Sequence, residues 1–314
     1  MFAKLNSDPK LEVTVLHGSS VPDTKLINGD KLDGFDHIEH FTIKRKGHTW
    51  VFHPFIFFSL VRLKPDAILS EGGSNFLSNF LILTYAILFR KPVIWWTLGE
   101  LQNEKQSSRM RKLYLFLITA QEKLSSVYLG YSSVALAYFQ RMGYQRSNCF
   151  RAVNCVDTNK VFQDIANRQS EAEALGNQIN PERNAVILFV GALTKGKKID
   201  RLLFAFKKIL EANPSVKLVI VGDGTDRGRL EEQVQQLGVE HATHFAGSVI
   251  SGVSDYFENA DIFVLPGLGG LAVSEALAHG IPVICSRGDG CEVDLVRNGQ
   301  TGYRIESDDD QIVI

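Results

Sequence analysis

Short runs of β-branched and aliphatic residues alternate with longer stretches of helical period through almost the whole chain. That alternation is the pattern of parallel sheets built from strand–helix–strand units. In the first half it predicts strands over 11–16, 67–70, 93–97 and 127–129, and helices over 75–89, 109–124 and 133–142. In the second half it predicts strands over 186–190, 217–221, 244–246, 262–265 and 282–286. Helices are predicted there over 199–212, 229–237, 253–259 and 271–279. The 199–212 segment is amphipathic, with Leu202, Leu203, Phe206, Ile209 and Leu210 on one face. Each strand stops at a small or polar turn, which is where open α/β sheets place their ligands.

A chain of 314 residues most simply makes two domains. The expected division is 1–162 for the first and 185–314 for the second. The stretch 163–184 is polar, carries Gly176 and Pro181, and sustains no apolar period beyond a short helix near 171–175. It reads as an interdomain linker.

An apolar share of 45% and a charged share of 22% are those of a soluble globular protein. The net charge of -1 gives no global attraction to nucleic acid. Cys149 and Cys155, like Cys285 and Cys291, are six apart, which fits neither a redox CxxC nor a zinc ribbon. Buried, reduced thiols in a cytosolic protein are expected. The opening residues show no signal-peptide pattern. The greasy stretch 76–89 contains Ser78, Asn79 and Thr84 and falls short of the ~20 residues a spanning helix needs. It is expected as a buried helix.

The segment 265–282 carries the chemistry. The strand 262–265 runs into Pro266-Gly267-Leu268-Gly269-Gly270, and a helix starts at once. Glycines let backbone approach a ligand closely, and the first turn of a helix presents free N–H groups and the positive end of its dipole. Together they suit a phosphate. Glu275, in the second turn, lies roughly 7 Å along the axis from Gly270, within reach of sugar hydroxyls. A turn that only permits tight strand–helix packing is the alternative. The loop Gly191-Ala192-Leu193-Thr194-Lys195-Gly196-Lys197-Lys198 adds cations able to stabilise a diphosphate leaving group, or simply a solvated lysine loop.

With these segments in order, the second half resembles glycosyltransferase family 4, the retaining GT-B enzymes. The resemblance is carried by Phe189-Val190-Gly191-Ala192-Leu193 with Lys197, and by Val221-Gly222-Asp223-Gly224. It continues with Phe245-Ala246-Gly247-Ser248-Val249, Asp261-Ile262-Phe263-Val264-Leu265-Pro266 and Gly270-Leu271-Ala272-Val273-Ser274-Glu275-Ala276. Gly280-Ile281-Pro282-Val283-Ile284 and Gly299-Gln300-Thr301-Gly302-Tyr303 close it. The first half matches more loosely. The resemblance implies an α/β chain of GT-B type, with two Rossmann-type parallel-sheet domains facing a cleft. It implies transfer of a sugar from a nucleotide-sugar donor to a glycan or lipid-linked acceptor, with retention, and with no metal and no cofactor.

By the same resemblance Lys197 contacts the donor diphosphate and Glu275 the ribose. The amides of Gly270, Leu271 and Ala272 hold phosphate, and Ser248 and Val249 lie near the base. Gly191, Gly222, Asp223 and Gly269 fall on the donor side, and Gly72, Gly73, Gly99 and Glu100 on the acceptor side.

The sequence departs from the family at four places. Gly267 stands where a sugar-contacting glutamate is usual, and Ala192 where an arginine is usual. Leu98-Gly99-Glu100 replaces a histidine. The family's first strand and its closing helices have no counterpart, so a member shortened at both ends is expected. Arg109, Arg111 and Lys112 precede Leu113-Tyr114-Leu115-Phe116-Leu117, which suits either a peripheral contact at the inner face of an anionic membrane or a core helix. Trp95 and Trp96 are expected to pack. A non-catalytic nucleotide-sugar-binding subunit is the competing reading.

Overall fold

The computed structural model describes residues 5, 7–18, 35–44, 51–72, 75–99 and 109–305, with the side chains of 109–112 left aside. Two compact units emerge. The first takes Met1–Thr97, Gln102–Leu129 and Phe139–Phe150; the second takes Leu98–Leu101, Gly130–Tyr138 and Arg151–Ile314.

The first unit opens with β1 (Thr14–Gly18) and β2 (Asp36–His40), which pair in parallel. A small antiparallel pair follows, β3 (Ile43–Lys44) with β4 (Val51–Phe52). Along the chain then come α1 (Ile56–Leu63), β5 (Ile68–Glu71), α2 (Phe76–Phe89), β6 (Val93–Thr97), α3 (Arg109–Lys123), β7 (Val127–Gly130), α4 (Ser133–Arg141), whose first two turns belong to the second unit, and β8 (Cys149–Arg151). Strands β5-β6-β7-β8 make one sheet, separate from β1–β2. No described residue before Leu11 lies in a strand. Among the described residues one buried cluster is Ile56, Leu60, Ile68, Ile82, Leu83, Tyr85, Ala86 and Val93, and Tyr128 and Phe139 are buried apart from it. Trp95 is 1% exposed, as a packing role requires.

Helix α2 was expected to be buried and is so along one face only. Ser78 and Asn79 point inward with Ile82, Leu83, Tyr85 and Ala86, while Phe80, Ile87 and Leu88 are exposed. The helix is apolar nearly all round, so its period does not mark the inner face. Hydrogen bonds do: the His53 amide donates to Ser78 Oγ, Ser70 Oγ donates to Asn79 Oδ1, and Asn79 Nδ2 donates to Glu71 O. Two polar side chains are satisfied inside, and three large apolar ones face out.

The second unit begins with helix where a linker was expected. Helices α5 (Thr158–Asn167) and α6 (Gln169–Ile179) fill most of 163–184. Asp157 caps α5 by accepting from the Asn159 amide. Arg168, between the helices, makes a two-pronged ion pair with Asp255, at 2.9 and 2.6 Å. Asn259 Nδ2 donates to Ala172 O, and Gly176 is packed so closely on Asn259 that a Cβ there would collide with its Oδ1. Tertiary contacts of this kind are invisible in a polar 22-residue window, which is why local period alone misses the helix.

The sheet of the second unit contains β9 (Ala185–Val190), β10 (Val216–Val221), β11 (Thr243–Gly247), β12 (Ile262–Leu265), β13 (Val283–Ser286) and β14 (Gly302–Ile305). Its order is β11-β10-β9-β12-β13-β14, with every neighbouring pair parallel. The strand order therefore reverses between β9 and β12, the position where doubly wound sheets open a crevice. Helices α7 (Ile199–Ala212), α8 (Arg227–Leu237), α9 (Val253–Glu258), α10 (Leu271–Ala278) and α11 (Cys291–Leu295) connect or follow these strands. The central strands are near-continuous apolar runs, as a sheet covered on both faces demands. Leu188, Phe189, Leu218, Ile220 and Phe263 are fully buried with Leu202, Leu203 and Phe206 of α7.

All four cysteines are free. Cys285 and Cys291 are buried as expected, but Cys155 is exposed and Cys149 is half-buried. The latter two lie in and beyond the short edge strand β8, which offers little cover.

Phe206 makes the packing testable. Phe206→Ala should lower the stability of the second unit by about 3–5 kcal/mol, read by urea unfolding. A loss below about 1 kcal/mol would contradict the burial assigned to α7.

Candidate functional site

The C-terminal ends of β9, β10 and β11 converge through backbone alone. The Gly191 amide donates to Val221 O at 2.9 Å, and the Gly222 amide donates to Gly247 O at 2.7 Å. Gly222 has φ +138, and a Cβ there would collide with Gly191 O. No other residue fits that crossing. Asp223 folds back, accepting from the Gly224 amide at Oδ1 and lying 3.6 Å from Arg227 at Oδ2. Ser248 is exposed and Val249 half-buried just past the end of β11, two strands from the reversal.

Two loops meet across the reversal itself. The loop after β9 turns through Lys195–Lys197, and the loop after β12 is Pro266–Gly270. The Leu268 amide donates to Gly196 O at 2.9 Å. A Cβ on Gly267 would collide with Gly196 O and lie 2.5 Å from the Lys197 carbonyl carbon. Gly267 is thus where the two loops touch, and no side chain can stand there.

The Lys197 side chain crosses from one loop to the other. Its Cε is 3.6 Å from where a Gly191 Cβ would be, and its Nζ is 2.7 Å from where a Gly269 Cβ would be. The ammonium therefore rests against Gly269, one residue before Gly270, which caps α10. Leu271 is 49% exposed and Ala272 half-buried, so the first turn of α10 is open to a ligand. Lys197, Gly269, Gly270, Leu271 and Ala272 come together as expected, a cation beside the positive end of a helix. Glu275 lies one turn on and half-buried. Burial pushes its carboxyl above the ordinary carboxylate range; His279 opposes that shift, Asp164 adds to it and Lys160 opposes it.

His279 is held by structure rather than offered to a ligand. Its Nδ1 lies 2.7 Å from Glu258 Oε1, its Nε2 3.3 Å from Ser254 Oγ, and its ring stacks on Phe257 at 5.1 Å.

A third loop, 287–290, was missed by the sequence reasoning. Ser286 Oγ donates to Pro266 O, binding the end of β13 to the glycine loop. Gly288 packs against Gly269 O. Glu292, 3% exposed, accepts from the amides of Gly288 at 3.0 Å and Gly290 at 2.9 Å and so shapes the loop. The Asp289 carboxylate reaches Gly270, where a Cβ would be 2.6 Å from Oδ2. Asp289, Cys291 and Glu292 approach one another as metal ligands would. The set is poorly suited to a cation, because Glu292 already serves two amides and burial drives the Cys291 thiol far above its ordinary range. A Gly-Asp-Gly run after a strand was the one available signal for this loop.

The acceptor-side expectations are less tightly drawn. The Gly72 amide donates to Trp96 O at 2.8 Å, and Trp95 lies against Gly72. Gly99 has φ +77 and packs on Ala135. Gly73 and Glu100 lie outside the described residues.

Residues 171–313 match the family model of glycosyl transferases group 1. An uncharacterised glycosyltransferase of Methanocaldococcus jannaschii is 42% identical over 105 residues, 32% of this chain and 27% of that protein. A GDP-mannose-dependent alpha-mannosyltransferase of Mycobacterium tuberculosis is 34% identical over 136 residues, 42% of this chain and 33% of that protein. The chain thus matches about a third or less of those relatives' length. Among solved structures, Anabaena HepE in complex with UDP superposes with a TM-score of 0.72 at 17% identity, covering 96% of this chain and 87% of HepE. The chain has the fold of GT-B glycosyltransferases, and its residues 171–313 are similar to the group 1 glycosyltransferases.

Proposed function

We propose that the chain transfers a sugar from a nucleotide-sugar donor to a glycan or lipid-linked acceptor, with retention and without a metal or other cofactor. The observation that carries this is the Lys197 ammonium delivered to Gly269 at the open first turn of α10. The amides of Gly270, Leu271 and Ala272 bind the diphosphate, and Lys197 neutralises charge on it as the bond to the anomeric carbon breaks. The nucleoside diphosphate leaves with the bonding electrons, the acceptor hydroxyl oxygen bonds the anomeric carbon on the same face, and its proton passes to the departing phosphate oxygen. Glu275 accepts hydrogen bonds from the ribose hydroxyls, and Ser248 and Val249 face the base. That HepE is seen with UDP, and that a mycobacterial relative is named for GDP-mannose, supports a nucleotide-sugar donor.

A lipid-linked acceptor fits the outer face of the first unit. Phe80, Ile87 and Leu88 of α2 are 60–65% exposed, and Leu113, Phe116 and Leu124 on and after α3 are 54–67% exposed. Arg90 and Lys91 follow α2, and Arg109, Arg111 and Lys112 open α3. Apolar residues with cationic flanks suit the surface of an anionic bilayer. No helix of the described residues is long and apolar enough to cross one.

One observation favours a second reading, a subunit that binds donor without turnover. Gly267 has no carboxylate and no room for one.

Mass detection of nucleotide released from a panel of nucleotide-sugars, with and without acceptor, separates the two readings. Donor binding without release would support the subunit. If release is seen, Lys197→Ala should slow it by about 10²–10³-fold with the fold intact by circular dichroism. An unchanged rate would remove Lys197 from the mechanism.

Glu275 gives a pH dependence. Only its ionised form accepts two ribose hydroxyls, and its pKa is raised, so the acceptor is lost as pH falls through a value above the ordinary carboxylate range. Donor affinity measured by calorimetry should therefore weaken on mild acidification. Glu275→Gln should flatten that profile; identical profiles would exclude the role.

Flotation with vesicles containing anionic lipid should carry the protein upward. Phe116→Glu should leave it in the soluble fraction. Flotation unaffected by this change would move the membrane contact off α3.

A further inference from the structure

The mouth of α10 holds both a cation and an anion. Lys197 Nζ rests against Gly269, and the next residue, Gly270, meets the Asp289 carboxylate from the opposite loop. A carboxylate beside a diphosphate site raises the cost of binding phosphate there. Its ligand must therefore be a hydrogen-bond donor adjoining the phosphates, and in a nucleotide-sugar that donor is a sugar hydroxyl. We propose that the Asp289 carboxylate accepts hydrogen bonds from hydroxyls of the donor sugar and so determines which sugar the site takes. The assignment rests on the donor-site reading above.

Three features place Asp289 for that task. One oxygen, Oδ1, accepts from the Cys291 amide at 3.2 Å, the Cys291 thiol also bonds the carboxylate, and Oδ2 lies toward Gly270. Its loop is braced by Glu292 on the amides of Gly288 and Gly290, and by Gly290 packed on Ser132. The residue itself is half-buried, so it is held without being sealed. The backbone contact at Gly267 excludes a side chain from the facing loop, which leaves the Asp289 carboxylate to meet the sugar from the other side.

The test compares each nucleotide with its own sugar conjugate. Calorimetry is run with UDP and UDP-glucose, GDP and GDP-mannose, ADP and ADP-glucose, and dTDP and dTDP-glucose. For the pair that binds, Asp289→Ala should weaken the sugar conjugate at least tenfold while the bare nucleotide stays within twofold or binds more tightly. Asp289→Asn keeps the cap on Cys291 and loses the charge; it should shift the conjugate in the same direction by less. A purely structural role predicts instead that conjugate and nucleotide weaken together, and that result overturns the assignment. So does an unchanged conjugate affinity in both variants. If no nucleotide binds to the unaltered protein, the donor-site reading falls and the assignment falls with it. If nucleotide binds but the sugar adds no affinity that Asp289 controls, only the assignment falls.

Discussion

Everything at the site depends on how closely backbone can approach backbone where β9 and β12 diverge. Gly222 lies on Gly191 O, Gly267 on the Gly196 and Lys197 carbonyls, and Ser286 reaches Pro266 O. With no side chain at Gly222 or Gly267, the loops after β9 and β12 meet backbone to backbone, and the short Ser286 side chain ties the end of β13 to them. A long lysine side chain can then be aimed at one residue of the facing loop. The same closeness has a cost, because it forbids a functional side chain at 267. The nearest carboxylate to Gly270 then comes from the 287–290 loop.

Charge at this mouth is arranged by burial as much as by pairing. Glu292 is buried yet balanced by two amides, so it acts as a brace. Glu275 is half-buried, which makes its ionised form harder to keep. Asp289 has one oxygen committed and one directed at Gly270. Three carboxylates on one sheet edge therefore do three different things, and their surroundings set the difference.

The second unit was legible because its signals are local. The bounds of α7 and β12 follow from one apolar face and one apolar run, and the glycines after β12 announce a phosphate-type turn. The first unit was harder to read. Strand β2, Asp-His-Ile-Glu-His, has too much charge to look like a strand, and α1 is rich in aromatic residues that favour no helix. In α2 the apolar residues run all round, so sequence could not tell the inner face from the outer. Helices α5 and α6 exist through Arg168, Asp255 and Asn259, partners 87 residues apart in the chain. Lys197 and Glu275 were singled out by a lysine loop, a helical rise and the family resemblance; the link of Asp289 to Gly270 exists only once β12 and β13 lie side by side.

Among the described residues two separate hydrophobic clusters are buried, 29 residues in the second unit and 8 in the first. Clusters of this kind can open separately. A ligand seated between β9 and β12 raises the free energy of opening only where it binds. Opening confined to the first unit's cluster is not opposed by such a ligand. A dye that reports apolar surface exposed by opening there would miss the ligand, while amide exchange on β9 and β12 would register it.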